Sequence, residues 1–321
     1  MKKFRNLAAI AFALAFSAHA LAQDNVVKIS TGSATGTYSK IFKSIQSLCG
    51  TDLQLVEVPS TGSDQNIDNL VNKVADAGFV QTDTLQFTAM NDPRASDSQI
   101  RVLVPLYPEE VHVIALKTLA KGGNWLGSVT GGKIGSVATS LSSLSDLENV
   151  KVGAWGGSYT TARAISYLGS VKYEVVQFDD AAKAKAALDK GEIAAIIAVG
   201  GQPLGFASSL NTNYKLLKID SALADKVKAY QKARITYKNI SQDSVDTIAA
   251  RSMLVVKNYA SPDRKAKFAT LKACITKNET EFKEGTGHHP KWGDVDLAAP
   301  VSWAMYDVGS VAAPAAPTKK K

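Results

Sequence analysis

Three short loops in the sequence combine glycines with hydroxyl side chains in one arrangement. Thr31-Gly32-Ser33-Ala34-Thr35-Gly36-Thr37 precedes one helical pattern and Pro59-Ser60-Thr61-Gly62-Ser63-Asp64 precedes a second. Gly153-Ala154-Trp155-Gly156-Gly157-Ser158-Tyr159 precedes a third. Glycine lets a backbone approach closely, and Ser and Thr hydroxyls sit well at helix starts. The free N–H groups of a helix start carry partial positive charge, so the combination suits a carboxylate or similar anion. N-capping alone accounts for Ser and Thr at one such place. Three loops in corresponding places, two early in the chain and one later, point further. Gly200-Gly201-Gln202-Pro203 ends a later apolar run and offers the Gln202 amide.

Reactive groups are sparse. His112 alternates with Val111, Val113 and Ile114 and reads as a strand residue. His288 and His289 lie in a polar loop without a carboxylate or thiol at metal-ligand spacing. Ser158 has glycine neighbours but no G-x-S-x-G elbow, and Asp83 and Asp92 show no paired-carboxylate spacing. Neither the phosphate loop G-x-x-x-x-G-K-[ST] nor the dinucleotide fingerprint G-x-G-x-x-G is present. The expectation is a binding protein with no catalytic set, no metal and no cofactor. An exported enzyme on the same scaffold is the rival, and it would require perturbed titratable groups in a cleft. Tyr38 and Trp155 flank the loops and either wall a pocket or pack on the sheet end.

The elements that position these loops follow from periodicity. Strand patterns run over Val26–Ser30, Leu53–Val58, Ala77–Gln81, Arg101–Pro105, Val111–Leu116, Lys151–Ala154, Tyr173–Gln177, Ile193–Val199 and Ala249–Lys257. Helical spacing marks Tyr38–Leu48, Ile67–Val74, Thr160–Leu168, Ala181–Lys190, Ala222–Ala233 and Arg264–Glu281. Strands separated by helices predict a parallel α/β sheet, and each loop then lies at the carboxyl edge, where open α/β sheets bind ligands. Val27-Lys28-Ile29 and its loop are echoed by Val150-Lys151-Val152. Leu70–Val80 is echoed by Leu188–Val199, again roughly 120 residues on. Two similar α/β lobes are expected.

The chain has 321 residues and a formal net charge of +8, with 45% apolar and 21% charged residues, which excludes whole-chain disorder. Lys2, Lys3 and Arg5 start the chain, Leu7–Phe16 is apolar, and Ala18-His19-Ala20 and Ala20-Leu21-Ala22 offer small residues for cleavage. Residues 1–22 therefore read as an export signal, too short in its apolar part to span a bilayer. Residues 306–321 read as a flexible Ala/Pro/Lys tail. Six positive residues lie in Met1–Ala22 and Lys319–Lys321, leaving the intervening body at +2. The charge therefore gives no reason to expect a nucleic-acid partner. The two cysteines, Cys49 and Cys274, are expected to form a disulfide in an oxidising compartment.

Several motifs resemble one known family. Ser30-Thr31-Gly32-Ser33-Ala34-Thr35-Gly36-Thr37-Tyr38 is similar to the G-G-T-G-G-T-Y signature of the TAXI group, the substrate-binding receptors of TRAP transporters. Ser60-Thr61-Gly62-Ser63-Asp64-Gln65-Asn66-Ile67 resembles its T-G-G-S-x-x-N-L segment, and Ala77-Gly78-Phe79-Val80-Gln81-Thr82-Asp83 resembles its A-D-x-G-x-V-Q-x-D strand. Val152-Gly153-Ala154 and Thr161-Ala162-Arg163 bracket its second-lobe loop. The likeness spans about residues 26–300. Thr61 replaces a glycine, Ser39 replaces a second aromatic, and the second-lobe loop is one residue short and lacks the usual proline. The chain looks like a divergent member.

The resemblance implies a type II periplasmic-binding fold with a hinged cleft, located in the periplasm and serving membrane transporter subunits. It also implies an amino acid or organic acid, such as glutamate, as ligand. Lobe 1 is placed at 24–108 and 245–305, lobe 2 at 109–244. Ligand contacts are expected from Ser33, Thr35, Gly36, Thr37, Tyr38, Ser60, Thr61, Gly62, Ser63, Asn66 and Gln81 of the first lobe. The second lobe would add Gly157, Ser158, Thr160, Thr161 and Gln202. A binding subunit for a sensor or an ABC-type transporter is the alternative.

Overall fold

Val26–Ser30, Gln54–Val58 and Ala77–Gln81 form strands β1, β2 and β3 of a computed structural model, which describes residues 25–118, 141–169 and 171–309. The expected export signal at residues 1–22 and the lysine-bearing end of the expected tail lie outside the described residues. The three strands run parallel in the order β2-β1-β3. β3 is buried at every position, as expected of a central parallel strand covered on both faces. Helices α1 (Thr37–Cys49) and α2 (Ser63–Val71) follow β1 and β2, so the helix starts gather at the carboxyl edge. A further helix, α3 (Thr82–Ala89), begins directly after β3. Its buried face is Thr82, Asp83, Thr84 and Leu85, too polar to show an apolar stripe in the sequence.

The second half repeats the theme. β5 (Lys151–Trp155), β6 (Glu174–Phe178) and β7 (Ala195–Gly200) are parallel in the order β7-β5-β6, with α4 (Gly157–Leu168) and α5 (Ala181–Asp189) attached. Two long antiparallel strands, β4 (Ile100–Leu116) and β10 (Val245–Lys257), join the halves into one sheet. Beyond Ser252, β10 lies beside β3. Before it, Val245–Ala250 pairs with β9 (Tyr230–Ile235). From Glu110 onward β4 pairs with β7, and its end also meets β8 (Tyr214–Leu217). The strands thus exchange neighbours around Leu106–Glu110 and Ala250–Ser252, where the register shifts between Arg251 and Met253. This waist connects two lobes, and the architecture is a two-lobed α/β fold built on one mixed sheet.

Three elements differ from the sequence reading. Arg101–Pro105 and Val111–Leu116 are one strand, because Pro105 and Pro108 fall beside the register shift, where missing N–H donors are tolerated. Ala222–Ala233 is helical only at Ala222–Lys226 (α6 Gly205–Ser209 precedes this α7), and β9 then pairs with β10. Arg264–Glu281 breaks at Asn278 into α8 (Pro262–Lys277) and α9 (Glu279–Glu284). The Asn278 amide bonds the Cys274 carbonyl at 3.0 Å there.

Cys49 and Cys274 are disulfide-bonded, with Cα atoms 5.8 Å apart, tying α8 to α1. Phe42, Ile45, Phe268, Leu271 and Ile275 fill the space beneath, so the C-terminal segment completes the first lobe. Tyr306 is also buried and its N–H bonds the Val102 carbonyl at 2.7 Å, so the chain leaves the body later than the expected 306. No described helix is long and apolar enough to cross a membrane.

Candidate functional site

The first-lobe loops are held together by one side chain. Asn66, fully buried on α2, accepts from the Ser30 and Ser60 hydroxyls at 2.6 Å each. Its amide donates to the carbonyls of Thr31 at 2.5 Å and Phe79 at 2.7 Å. Both ends of the amide are occupied, so Asn66 positions the loops rather than offering itself to a ligand. Ser60 is similarly engaged, because its Oγ also accepts from the Gly62 N–H at 3.0 Å.

From this scaffold Tyr38, Ser63 and Gln81 converge on the waist. The Tyr38 ring stacks on Phe79, with centroids 5.3 Å apart. Its hydroxyl donates to Glu109 at 3.3 Å and lies 3.5 Å from the Ser63 hydroxyl. Ser63 Oγ accepts from the Gln81 N–H at 3.1 Å, and Gln81 Nε2 donates to Glu109 Oε2 at 2.5 Å. The sequence reading named three of these residues but not the carboxylate at their centre. Asp83, also fully buried, accepts from the Thr84 N–H at 2.8 Å and the Tyr230 hydroxyl at 3.2 Å.

Burial dominates the electrostatics. It pushes Glu109 up to about 7, and the hydrogen bonds from Tyr38 and Gln81 only partly oppose it. Asp83 and Asp64 are raised for the same first cause, and Tyr38 lies well above the ordinary phenol range. One sequence signal for Glu109 exists: Glu109-Glu110 interrupts an otherwise apolar strand. A charged pair there is either solvated or functional, and the fold buries both.

The second lobe meets the first across the cleft. Thr160 at the start of α4 donates to Asp64 of α2. Gly157 lies against Gly62, where a Cβ on Gly62 would stand 3.7 Å from the Gly157 Cα. A Cβ on Gly157 would stand 3.9 Å from Gln81 Oε1. Outside these contacts, Arg163 sits over the rings of Phe87 at 5.3 Å and Tyr159 at 5.5 Å, so an arginine of α4 bridges the lips of both lobes. The described conformation therefore has its lobes in contact.

Other expected contact residues lie elsewhere. Ser33 and Thr35 are exposed in the turn closed by the Gly36 N–H on the Ser33 carbonyl at 2.8 Å, with Gly36 and Thr37 half-buried beside them. Thr61 is exposed and bonded to Gln65. Ser158 is buried, and its Oγ accepts from the Val199 N–H at 3.0 Å. Thr161 is buried near Asp83. Gln202 faces the scaffold, with its N–H on Glu110 at 2.7 Å and its carbonyl oxygen accepting from the Thr236 N–H at 3.0 Å. Trp155 packs edge-to-face on Phe206 at 5.0 Å, so of the two flanking aromatics only Tyr38 reaches the waist.

Gly62 has φ +127°, a backbone state that L side chains rarely adopt. Its replacement by valine is expected to strain the loop and hold the lobes apart. Affinity for whatever ligand co-purifies should fall at least tenfold, and the bound form should scatter X-rays as an open particle. A Gly62→Val protein that closes and binds like the unaltered chain would remove the lobe contact from the account.

A family model described as the NMT1-like family matches residues 29–267. Solved structures with similar folds include a protein from Bordetella bronchiseptica RB50, 17% identical, covering 85% of this chain and 76% of that one at a TM-score of 0.49. An amino acid ABC transporter substrate-binding protein from Streptococcus pneumoniae bound to L-arginine is 12% identical, covering 86% and 98% at 0.45. A substrate-binding protein of an amino acid ABC transporter is 11% identical, covering 80% and 94% at 0.46. The matched family is described as NMT1-like rather than as the TAXI group.

Proposed function

We propose a receptor function on one premise: the chain belongs to the NMT1-like family. Its role is to capture a small amino acid or organic acid between two lobes outside the cytoplasm and present it to membrane transporter subunits. The observation that carries this reading is the waist. Hydroxyl and amide groups of Tyr38, Ser63 and Gln81 converge there, beside a contact between Gly62 of the first lobe and Gly157 of the second. We divide the lobes where β4 and β10 exchange neighbours, near Glu109 and Arg251. Gly157, Thr160 and Thr161 face the first lobe from the start of α4. A ligand touching both lobes stabilises the closed state in proportion to its extra contacts there.

The transporter class is the finer part of the proposal. The motif resemblance implies TRAP subunits, whereas two of the similar structures are substrate-binding proteins of amino acid ABC transporters. Ligand-loaded protein should retain one set of membrane subunits from the native host, and their identity decides between the two. An enzyme reading meets an obstacle in the histidines. His112 Nε2 lies 2.8 Å from the Tyr237 hydroxyl with its pKa lowered to about 4 by burial. His289 accepts from the Lys291 N–H at 3.1 Å, and His288 sits edge-on to Phe282. Each is engaged away from Glu109 and Asp83.

The test is purification without refolding, followed by mass spectrometry of the released small molecule and calorimetry with that molecule. Binding with closure is expected. A protein that carries no small molecule, binds none and turns one over instead would displace the receptor reading.

A further inference from the structure

Away from the waist, a groove of about 560 Å³ opens between α1 and the loop that follows α9. One wall is Lys40, Lys43, Ser44 and Ser47, which helical spacing places on a single face of α1. The other wall is the loop 286–290, which carries His288 and His289. No acidic side chain lines the groove. The Ser44 and Ser47 hydroxyls bond back to carbonyls of α1, at 3.3 Å and 2.8 Å, so the ammonium groups and imidazoles are what remains for a ligand.

The charge on α1 is not balanced locally. Lys40 and Lys43 are both exposed and are neighbours on the helix surface, where like charges repel. Among the described residues neither stands in an ion pair. Other helical lysines of this chain do: Lys183, Lys185 and Lys283 each meet a carboxylate one turn away, at 2.5, 2.7 and 2.6 Å. Burial first, and then the positive charges of Lys40 and Lys291, hold His289 below the ordinary imidazole range. The groove therefore concentrates positive potential.

The loop opposite is braced. Phe282 before it and Trp292 after it stack with centroids 4.1 Å apart, and His288 packs edge-on against Phe282 at 5.5 Å. Gly287 turns the chain at φ +86°, a conformation open to glycine. His289 Nδ1 accepts from the Lys291 N–H at 3.1 Å, so the neutral ring carries its proton on Nε2 and is a donor. Two cations on a rigid helix thus face a donor on a braced loop.

We propose that this groove is a second binding site, for a doubly charged phosphate-type oxyanion, with Lys40 and Lys43 as its cations and His289 as a neutral donor. Two ammonium charges favour a dianion over a monocarboxylate, since the attraction scales with the charge. The oxygens of a phosphate also accept from several donors at once. The group could belong to a dissolved phosphate compound or to a lipid headgroup, and the chemistry at the groove is the same. The proposal does not depend on the receptor reading.

The test uses the full chain at about 0.15 M salt, where diffuse surface attraction is screened. Inorganic phosphate, sulfate and acetate are titrated while the imidazole NMR signals are followed. Phosphate and sulfate should move the His288 and His289 signals saturably, leave the buried His112 unmoved, and bind at least tenfold more tightly than acetate. Lys40→Gln/Lys43→Gln should lose at least tenfold in affinity with an unchanged circular dichroism spectrum. Lys183→Gln/Lys185→Gln, an equal loss of charge on α5, should stay within twofold. In a second arm, vesicles containing phosphatidate are compared with pure phosphatidylcholine. Retention on the phosphatidate vesicles that the Lys40/Lys43 double variant loses assigns the group to a lipid. Saturation by inorganic phosphate without such retention assigns it to a dissolved compound, and either result supports the site. Absence of both responses, or an equal loss in the two double variants, overturns it.

Discussion

Removing the Cys49–Cys274 bridge is expected to cost about 3–5 kcal/mol of stability, the largest single effect in the molecule. The two cysteines are 225 residues apart, so the bond removes more loop-closure entropy from the unfolded chain than a short-range bridge would. Its place sharpens the expectation. Cys49 is 1% exposed at the end of α1, Cys274 lies on α8, and the layer around them includes Phe42, Phe268 and Ile275. Without the bridge, α8 and the segment after it are held to the first lobe by packing alone. Chemical denaturation of the Cys49→Ser/Cys274→Ser protein should therefore show a lower midpoint for the first lobe. The waist lies elsewhere in the fold, so ligand affinity in native buffer should stay within a few-fold. A midpoint unchanged from the oxidised protein would mean that the two segments are prearranged in the unfolded chain.

The second large effect comes from pH. Glu109 holds its proton up to about 7 in the folded protein, against an ordinary value of 4.5. A carboxyl whose folded pKa is raised favours the folded state while protonated. That advantage is complete below about 4.5 and is lost as pH rises to about 7, a change of about 3 kcal/mol from this group. Asp83 is shifted in the same direction by the same burial and adds to the trend. Glu109→Gln removes the titrating group while keeping the shape. Its stability relative to the unaltered protein should rise between pH 5 and pH 8, by about 2–3 kcal/mol at the upper end. Parallel stability curves across that range would show that Glu109 is solvated, not buried.

Both effects expose how much of the molecule was legible in its sequence. The α/β class, the two-lobed plan and the pairing of the cysteines followed from alternating strand and helix periods and from composition, whereas the expected parallel sheet is mixed, because β4 and β10 run antiparallel to their neighbours. Those signals are local or, for the cysteines, limited to one possible partner. β3 and α4 fall close to where their apolar residues recur. Helix α3 stayed hidden because its buried face is Thr82, Asp83 and Thr84, which hydropathy reads as loop. The helix written over Ala222–Ala233 failed beyond Lys226 because the neighbouring strand β10 offered β9 a ladder of backbone bonds, from Val245 opposite Ile235 to Ala250 opposite Tyr230.

The loops at the carboxyl edge could be found by type and spacing, since helix starts demand Gly, Ser and Thr whatever the fold. Which of their side chains reach the waist could not. Asn66 and Tyr38 are both polar residues beside a glycine-rich loop, yet one is saturated by the scaffold and the other turns to Glu109. Only the tertiary structure makes that distinction, because burial and hydrogen-bond partners are set by segments far apart in the chain. Glu109 shows the limit best. In sequence it is one acid of a pair in an apolar strand, and its neighbours on the chain say nothing of its charge state. Crossing strands, Gln81 and Tyr38 from one lobe and the closure of the other exclude water around it. Without water, a carboxylate must keep its proton or find a cation. The sequence by itself determined the two-lobed α/β plan; only the tertiary structure decided that Glu109 is buried and keeps its proton up to about pH 7, because the segments that exclude water from it lie far apart in the chain.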